Sequence, residues 1–224
     1  MVLETTFQDG MHQIQDFLNG TPVPQSDLDF FKSVQHLQHY FSNPAYTPAP
    51  FYSLYTKPNN PTSDLYFAKT IRSDDTIPHT LLFLKTGDWS IPEGSPPNTK
   101  SRPFPAPDIP DVTILFDLQP GMNGFAHTAH GGAMCSLLDE TLGMCAEVHR
   151  QKQFAGQRTN LYTAQLNTSF LAPVVTPGVV RIKAWLVGAE GRKWMLRAQM
   201  DDAKGKVLLE TESLWISVRE EGSL

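Results

Sequence analysis

The groups best able to act on a carbonyl lie close together in the stretch His127-Thr-Ala-His130-Gly131-Gly132-Ala-Met-Cys-Ser-Leu-Leu-Asp139-Glu140-Thr-Leu-Gly-Met-Cys-Ala-Glu147. A turn-like His-Gly-Gly opens an apolar run of helical length. Backbone N–H groups at a helix start stabilise a developing oxyanion, helped by the positive end of the helix dipole. Gly131 and Gly132 would let a substrate approach that backbone closely. Asp139 sits among Ala, Met, Leu, Cys and Val that cover most of the helix circumference, the pattern of a helix enclosed by other structure. A carboxylate held there should titrate above its ordinary range. It could serve as a general base toward water or as a nucleophile through an anhydride, and the sequence leaves both open.

The spacing adds a constraint. Seven residues separate Gly132 from Asp139, roughly 10 Å along a helix axis. That is too far for both to touch one carbonyl easily, so the simplest site pairs Gly132 of one subunit with Asp139 of another, and a dimer is expected. Glu140 points roughly 100° away, toward solvent or a subunit contact, and is the substitute acid. In the preceding loop, Asn123 or His127 could orient water or the carbonyl, whereas His130 is expected to brace the loop.

The elements that must carry these residues follow from hydrophobic periodicity. A helix is expected from Ala133 to about Val148. A β-branched strand, Asp111 to Leu118, precedes it. Strands over Leu161–Leu171, Val179–Val187, Lys193–Met200 and Val207–Val218 follow, with turn residues between them. One buried helix and an antiparallel sheet curling round it make an α+β layout. The 18 prolines concentrate before residue 111, so residues 1–110 are read as an N-terminal extension and 111–224 as the main domain. Within the extension, Phe30, Phe31, Val34, Leu37, Tyr40 and Phe41 form an aromatic stripe on a helix of about residues 27–42, docking on the domain or covering an opening to the site. His36 and His39 on that helix have a metal-ligand spacing without a third ligand, so surface histidines are expected. Leu65–Ala68 and Thr80–Leu84 are short strands or buried turns, and Gly94–Pro110 is a loop.

Taken in order, His130-Gly131-Gly132-Ala133, Asp139 nine positions after the His, the segment Thr163-Ala-Gln-Leu-Asn-Thr-Ser-Phe-Leu-Ala-Pro173 and three long strands resemble the hotdog-fold acyl-CoA thioesterases of the phenylacetate-degradation and thioesterase-superfamily-member types, over about Asp111–Val218. The resemblance implies a helix wrapped by an antiparallel sheet, a dimer often doubled to a tetramer, an active site at the dimer interface and no cofactor or metal. It also implies roles: Gly131 and Gly132 as donors to the thioester oxygen, Asp139 as the acidic catalyst, Thr163 as an aid to placing water. Many relatives carry Asn or Gln six residues before the motif His, where Gly124 stands here.

A formal charge of -5 without a Lys/Arg cluster argues against a nucleic-acid partner. Apolar runs are too short for a membrane span, and the first residues do not read as a secretory signal, so a cytoplasmic setting with Cys135 and Cys145 reduced is expected. If the thiol is that of CoA, Arg158, Arg192 and Lys193 are candidates for its phosphates; a carrier-protein thioester fits equally. A hotdog tailoring enzyme of dehydratase kind, or a non-catalytic acyl-binding protein, would share the same fold.

Overall fold

In a computed structural model the structure describes residues 13–56, 61–92, 103–153 and 160–218. The apolar run forms one helix, α4 (Gly131–Gln153). It continues past Val148 because Glu147 accepts hydrogen bonds from Arg150 Nε at 2.8 Å and Gln151 Nε2 at 2.9 Å, polar pairs at helical spacing. Met134, Leu137, Leu138, Leu142, Cys145 and Val148 are buried along it. α4 lies over the strands of the main sheet.

That sheet contains β1 (Tyr46–Ala49), β2 (Thr80–Lys85), β3 (Val112–Leu118), β6 (Leu161–Phe170), β7 (Gly178–Glu190), β8 (Lys193–Asp202) and β9 (Val207–Ser217), and β4 (Asn123–Phe125) and β5 (Thr128–Ala129) form a separate pair. Its order is β1-β2-β3-β7-β8-β9-β6, with every neighbour antiparallel. All seven residues of β3 are buried, and alternation explains how. Val112, Ile114, Phe116 and Leu118 join the core with α4, while Leu115 joins a second cluster on the other face with Phe31, Leu37, Tyr40, Leu81 and Phe83. The expected α+β class and the helix wrapped by an antiparallel sheet are present.

The segment before residue 111 supplies β1 and β2 to this same sheet. It also supplies three short helices: α1 (Gln13–Gly20), α2 (Gln25–Ser33) and α3 (Gln38–Ser42). The single helix expected over residues 27–42 is therefore broken. Val34 takes an extended conformation (φ -83, ψ 104), and a 3-10 turn at Gln35–Leu37 resets the direction. The aromatic stripe docks on the sheet face away from α4, so it does not cover the site. His36 and His39 are exposed. Tyr66–Thr70 is a π-helical turn, not a strand. In the proline-rich loop, Phe104 is buried, its N–H donates to Glu210 Oε2 at 2.8 Å, and its carbonyl accepts from Gln199 Nε2 at 2.6 Å.

Candidate active site

Asp139 projects from the middle of α4 and is half-buried. The Thr163 hydroxyl, on β6, donates to its Oδ1 at 2.9 Å. Burial pushes the Asp139 carboxyl above its ordinary range, and the Thr163 bond offsets that only in part. One helical turn on, Gly143 faces the same way. A Cβ at Gly143 would lie 2.9 Å from Cη2 of Trp215, so glycine is what lets the indole lie against the helix. Trp215 stands opposite Thr163 in the β6–β9 register. Beside them opens a cavity of about 460 Å³, lined among others by Ile14, Tyr52, Gly143, Met144, Tyr162 and Trp215. A carboxylate with raised basicity thus stands one helical turn from a pocket large enough for a sizeable acyl group.

At the other end of α4, the Gly132 N–H donates to Nδ1 of His130 at 3.0 Å. Gly132 therefore spends its N–H on His130 within its own chain in this conformation instead of presenting it to a ligand. The reason is local: His130 precedes the helix, and its ring reaches back as a capping acceptor for an orphan N–H. A Cβ at Gly131 would lie 3.2 Å from Phe170 Cε1, which places the helix start beside the far end of β6. Gly124 explains the missing Asn or Gln, because a Cβ there would lie 3.0 Å from the His130 Cα. Asn123 is exposed, and its Oδ1 accepts from the buried Thr176 hydroxyl. His127 is exposed with φ 55, and its carbonyl accepts from Thr176 N–H at 3.2 Å. Asn123 and His127 are therefore joined through Thr176.

Glu140, expected toward solvent or a subunit contact, is half-buried and accepts from the Ser53 hydroxyl. Arg192 and Lys193 are exposed at the β7–β8 turn, where Arg192 Nη1 donates to the Ser217 carbonyl at 3.3 Å. Ser217 pairs with Leu161 at the start of β6, so both cations sit at the end of the sheet away from Gly131. Arg158 lies outside the described residues. The structure thus brings together Asp139 with Thr163, and Gly132 with His130, and it places Arg192 and Lys193 at the end of the sheet away from the latter pair. Sequence reasoning missed Ser53, Tyr52, Trp215 and Gly143. An isolated glycine inside a helical pattern was a usable signal for the last.

A second polar cluster lies in the core. Asp111 accepts from Lys85 Nζ at 2.6 Å, His149 Nε2 at 2.7 Å and Leu186 N–H at 2.8 Å. Burial alone would raise its carboxyl, but these partners together hold it below the usual range. Asp111, Cys145 and His149 offer ligand atoms within 4.8 Å of one another, the group among the described residues closest to a metal-ligand set. Lys85 already supplies the positive charge there, and burial pushes the Cys145 thiol well up. The cluster works as a buried ion pair tying α4 to β2, β3 and β7.

Residues 126–209 match the family model of the thioesterase superfamily, and the long helix α4 against the large antiparallel sheet is the hotdog arrangement. Over 217 residues the chain is 22% identical to verlamelin biosynthesis protein B of Lecanicillium sp, covering 87% of this chain and 90% of that protein. Over 113 residues it is 34% identical to acyl-coenzyme A thioesterase THEM4 of Bos taurus, covering 50% of this chain but 43% of that protein. A solved Bacillus halodurans protein with CoA aligns at TM-score 0.43 and 17% identity, covering 51% of this chain and 71% of that one. Among the described residues no helix is long and apolar enough to cross a membrane.

Proposed function

We propose that the chain hydrolyses an acyl thioester to the free acid and a thiol, with the acyl group in the cavity beside Gly143 and the scissile carbonyl at Asp139. The observation that carries this reading is the half-buried Asp139, hydrogen-bonded by Thr163 at 2.9 Å, one helical turn from a cavity of about 460 Å³. Similarity to an acyl-coenzyme A thioesterase supports it. The ionised Asp139 takes a proton from water as the water oxygen adds to the thioester carbon. The tetrahedral intermediate then collapses, the C–S bond breaks, and the proton passes to the leaving thiolate. Thr163 holds the carboxylate in place.

The oxyanion donors come from the Gly131–Gly132 turn of a second copy, because within one α4 that turn is roughly 10 Å from Asp139. The edge strand β6 is the contact surface for a homodimer: it leaves Tyr162 55% and Phe170 57% exposed, and an unpaired edge is a template for a second chain. In this reading His130 releases the Gly132 N–H when substrate arrives. The test is turnover of a panel of acyl-CoA and acyl-pantetheine thioesters by the wild type, Asp139→Asn and Asp139→Ala. Loss in both variants supports the reading; full activity in either removes Asp139 from the chemistry. Wild-type binding without turnover would assign an acyl-binding protein instead.

A further inference from the structure

We infer that Tyr52, supplied by the segment before the main domain, ends the acyl pocket and limits it to a medium-length acyl chain; this rests on the thioesterase reading above. Helix α4 contributes Gly143 and Met144 to the cavity and β9 contributes Trp215, while the N-terminal segment contributes Ile14 of α1 and Tyr52 of the 3-10 turn Tyr52–Leu54. Apolar and aromatic surfaces of this kind suit an alkyl chain. Ile14 and Tyr52 precede residues 126–209, the segment that matches the thioesterase model, so part of the pocket is built by a stretch of chain that the match does not reach.

The turn that carries Tyr52 is fixed from several sides. The Ser53 hydroxyl donates to Glu140 on α4, Leu54 is buried, and the Leu54 carbonyl accepts from Arg72 Nη1 at 2.6 Å. The Tyr52 ring meets Phe17 of α1 edge-on, with centroids 5.1 Å apart at 84°, and Phe17 in turn meets Tyr55 at 4.9 Å. A phenol ring braced by packed neighbours is a stop and not a flap. Its place along α4 follows from what surrounds it. Burial first, and then the charges of Asp64 and Glu147, push the phenol up to about 12, so Tyr52 stands near Glu147, at the far end of the cavity from Asp139. The eight residues from Asp139 to Glu147 take up roughly 12 Å of helix axis. An extended chain of single bonds advances roughly 1.2 Å per bond, a third of the span of an extended residue. About ten carbons therefore fit between the reacting carbonyl and Tyr52.

The experiment measures kcat/KM for straight-chain acyl-CoA and acyl-pantetheine thioesters from butanoyl to octadecanoyl, with wild type, Tyr52→Ala, Tyr52→Leu, Tyr52→Phe and Tyr52→Trp. Expected for the wild type is a maximum between octanoyl and dodecanoyl, with hexadecanoyl about tenfold or more below it. Tyr52→Ala should move the maximum up by about four carbons, the length of the ring removed, and raise hexadecanoyl about tenfold. Tyr52→Phe should leave the maximum in place, since the ring and not the hydroxyl is the stop, and Tyr52→Trp should move it down. Tyr52→Leu should move it up part of the way, and decides the matter if the alanine variant unfolds. A merely structural role would lower every chain length alike and leave the maximum where it was. A wild-type maximum outside octanoyl to dodecanoyl, a flat profile that still depends on Asp139, or a maximum that neither alanine nor leucine moves overturns this inference and leaves the thioesterase reading standing. If the wild type hydrolyses none of the series, both readings fall.

Discussion

Replacing Thr163 by Val keeps the shape of the side chain and removes only the hydroxyl that donates to Asp139 at 2.9 Å. A hydrogen bond to a charged group is worth about 1.5–3 kcal/mol. Asp139 is only half-buried, so water recovers part of that, leaving about 1 kcal/mol against the ionised form. At about 1.4 kcal/mol per factor of ten, this is about fivefold in the ratio of ionised to protonated Asp139. The sign follows from the role. A general base works ionised, and burial already raises the Asp139 carboxyl, so activity should appear only above the usual carboxylate range and be lost as the pH falls through that raised value. In Thr163→Val this acid limb moves further up. On the limb the rate falls about fivefold at a given pH, while the plateau holds. The assay is steady-state thioester hydrolysis with a thiol trap, kcat/KM being followed from about pH 5 to pH 9. An acid limb that stays in place or moves down would refute the argument that this bond tunes Asp139, and a plateau that falls with an unmoved limb would assign Thr163 to placing the water.

Four further outcomes are expected. Asp139→Asn should lower kcat by about 100- to 10,000-fold, the usual contribution of a positioned base, with thermal unfolding little changed. Gly143→Ala, which in an open helix would stabilise by about 1 kcal/mol, should instead lower the unfolding midpoint, because the new Cβ meets the buried Trp215 ring at 2.9 Å; a stabilised variant with unchanged activity would show the ring is free to move. Asp111→Asn should cost about 3–5 kcal/mol in denaturant unfolding by leaving Lys85 and His149 unanswered in the core. Because the Asp111 carboxyl is depressed in the folded state, its contribution is full above its unfolded value near pH 4 and is lost as the pH falls through the lower folded one; an acid-unfolding midpoint equal to that of the wild type would contradict this. Phe170→Asp on the exposed edge strand should shift the protein toward monomer in light scattering and lower turnover with it, and turnover by a proven monomer would remove the second copy from the site.

The hotdog architecture was legible because its signals are local and strong. β3 reads as a continuous apolar run since both of its faces are buried, and α4 reads as an enclosed helix since its apolar residues go nearly all the way round. Asp139 stood out as the acid in that run, and Thr163 was named with it through the family motif. The extension was less legible. Of its two short strands, β2 was one of the two readings of Thr80–Leu84, while β1 is a strand because it pairs with β2, a fact no local pattern records. The contact of Glu140 with Ser53 was not legible for the same kind of reason, since the two lie 87 residues apart in sequence.

The sequence by itself determined which residues could do chemistry and the two periodicities, 3.6 and 2, that put them on one helix and one sheet, because both depend on neighbours a few positions apart. Only the tertiary structure decided that Gly143 must be glycine against Trp215, that Ser53 covers Glu140, and which residues face a cavity. Those outcomes depend on distant segments competing for the same few cubic ångströms, and such competition is settled by packing in three dimensions.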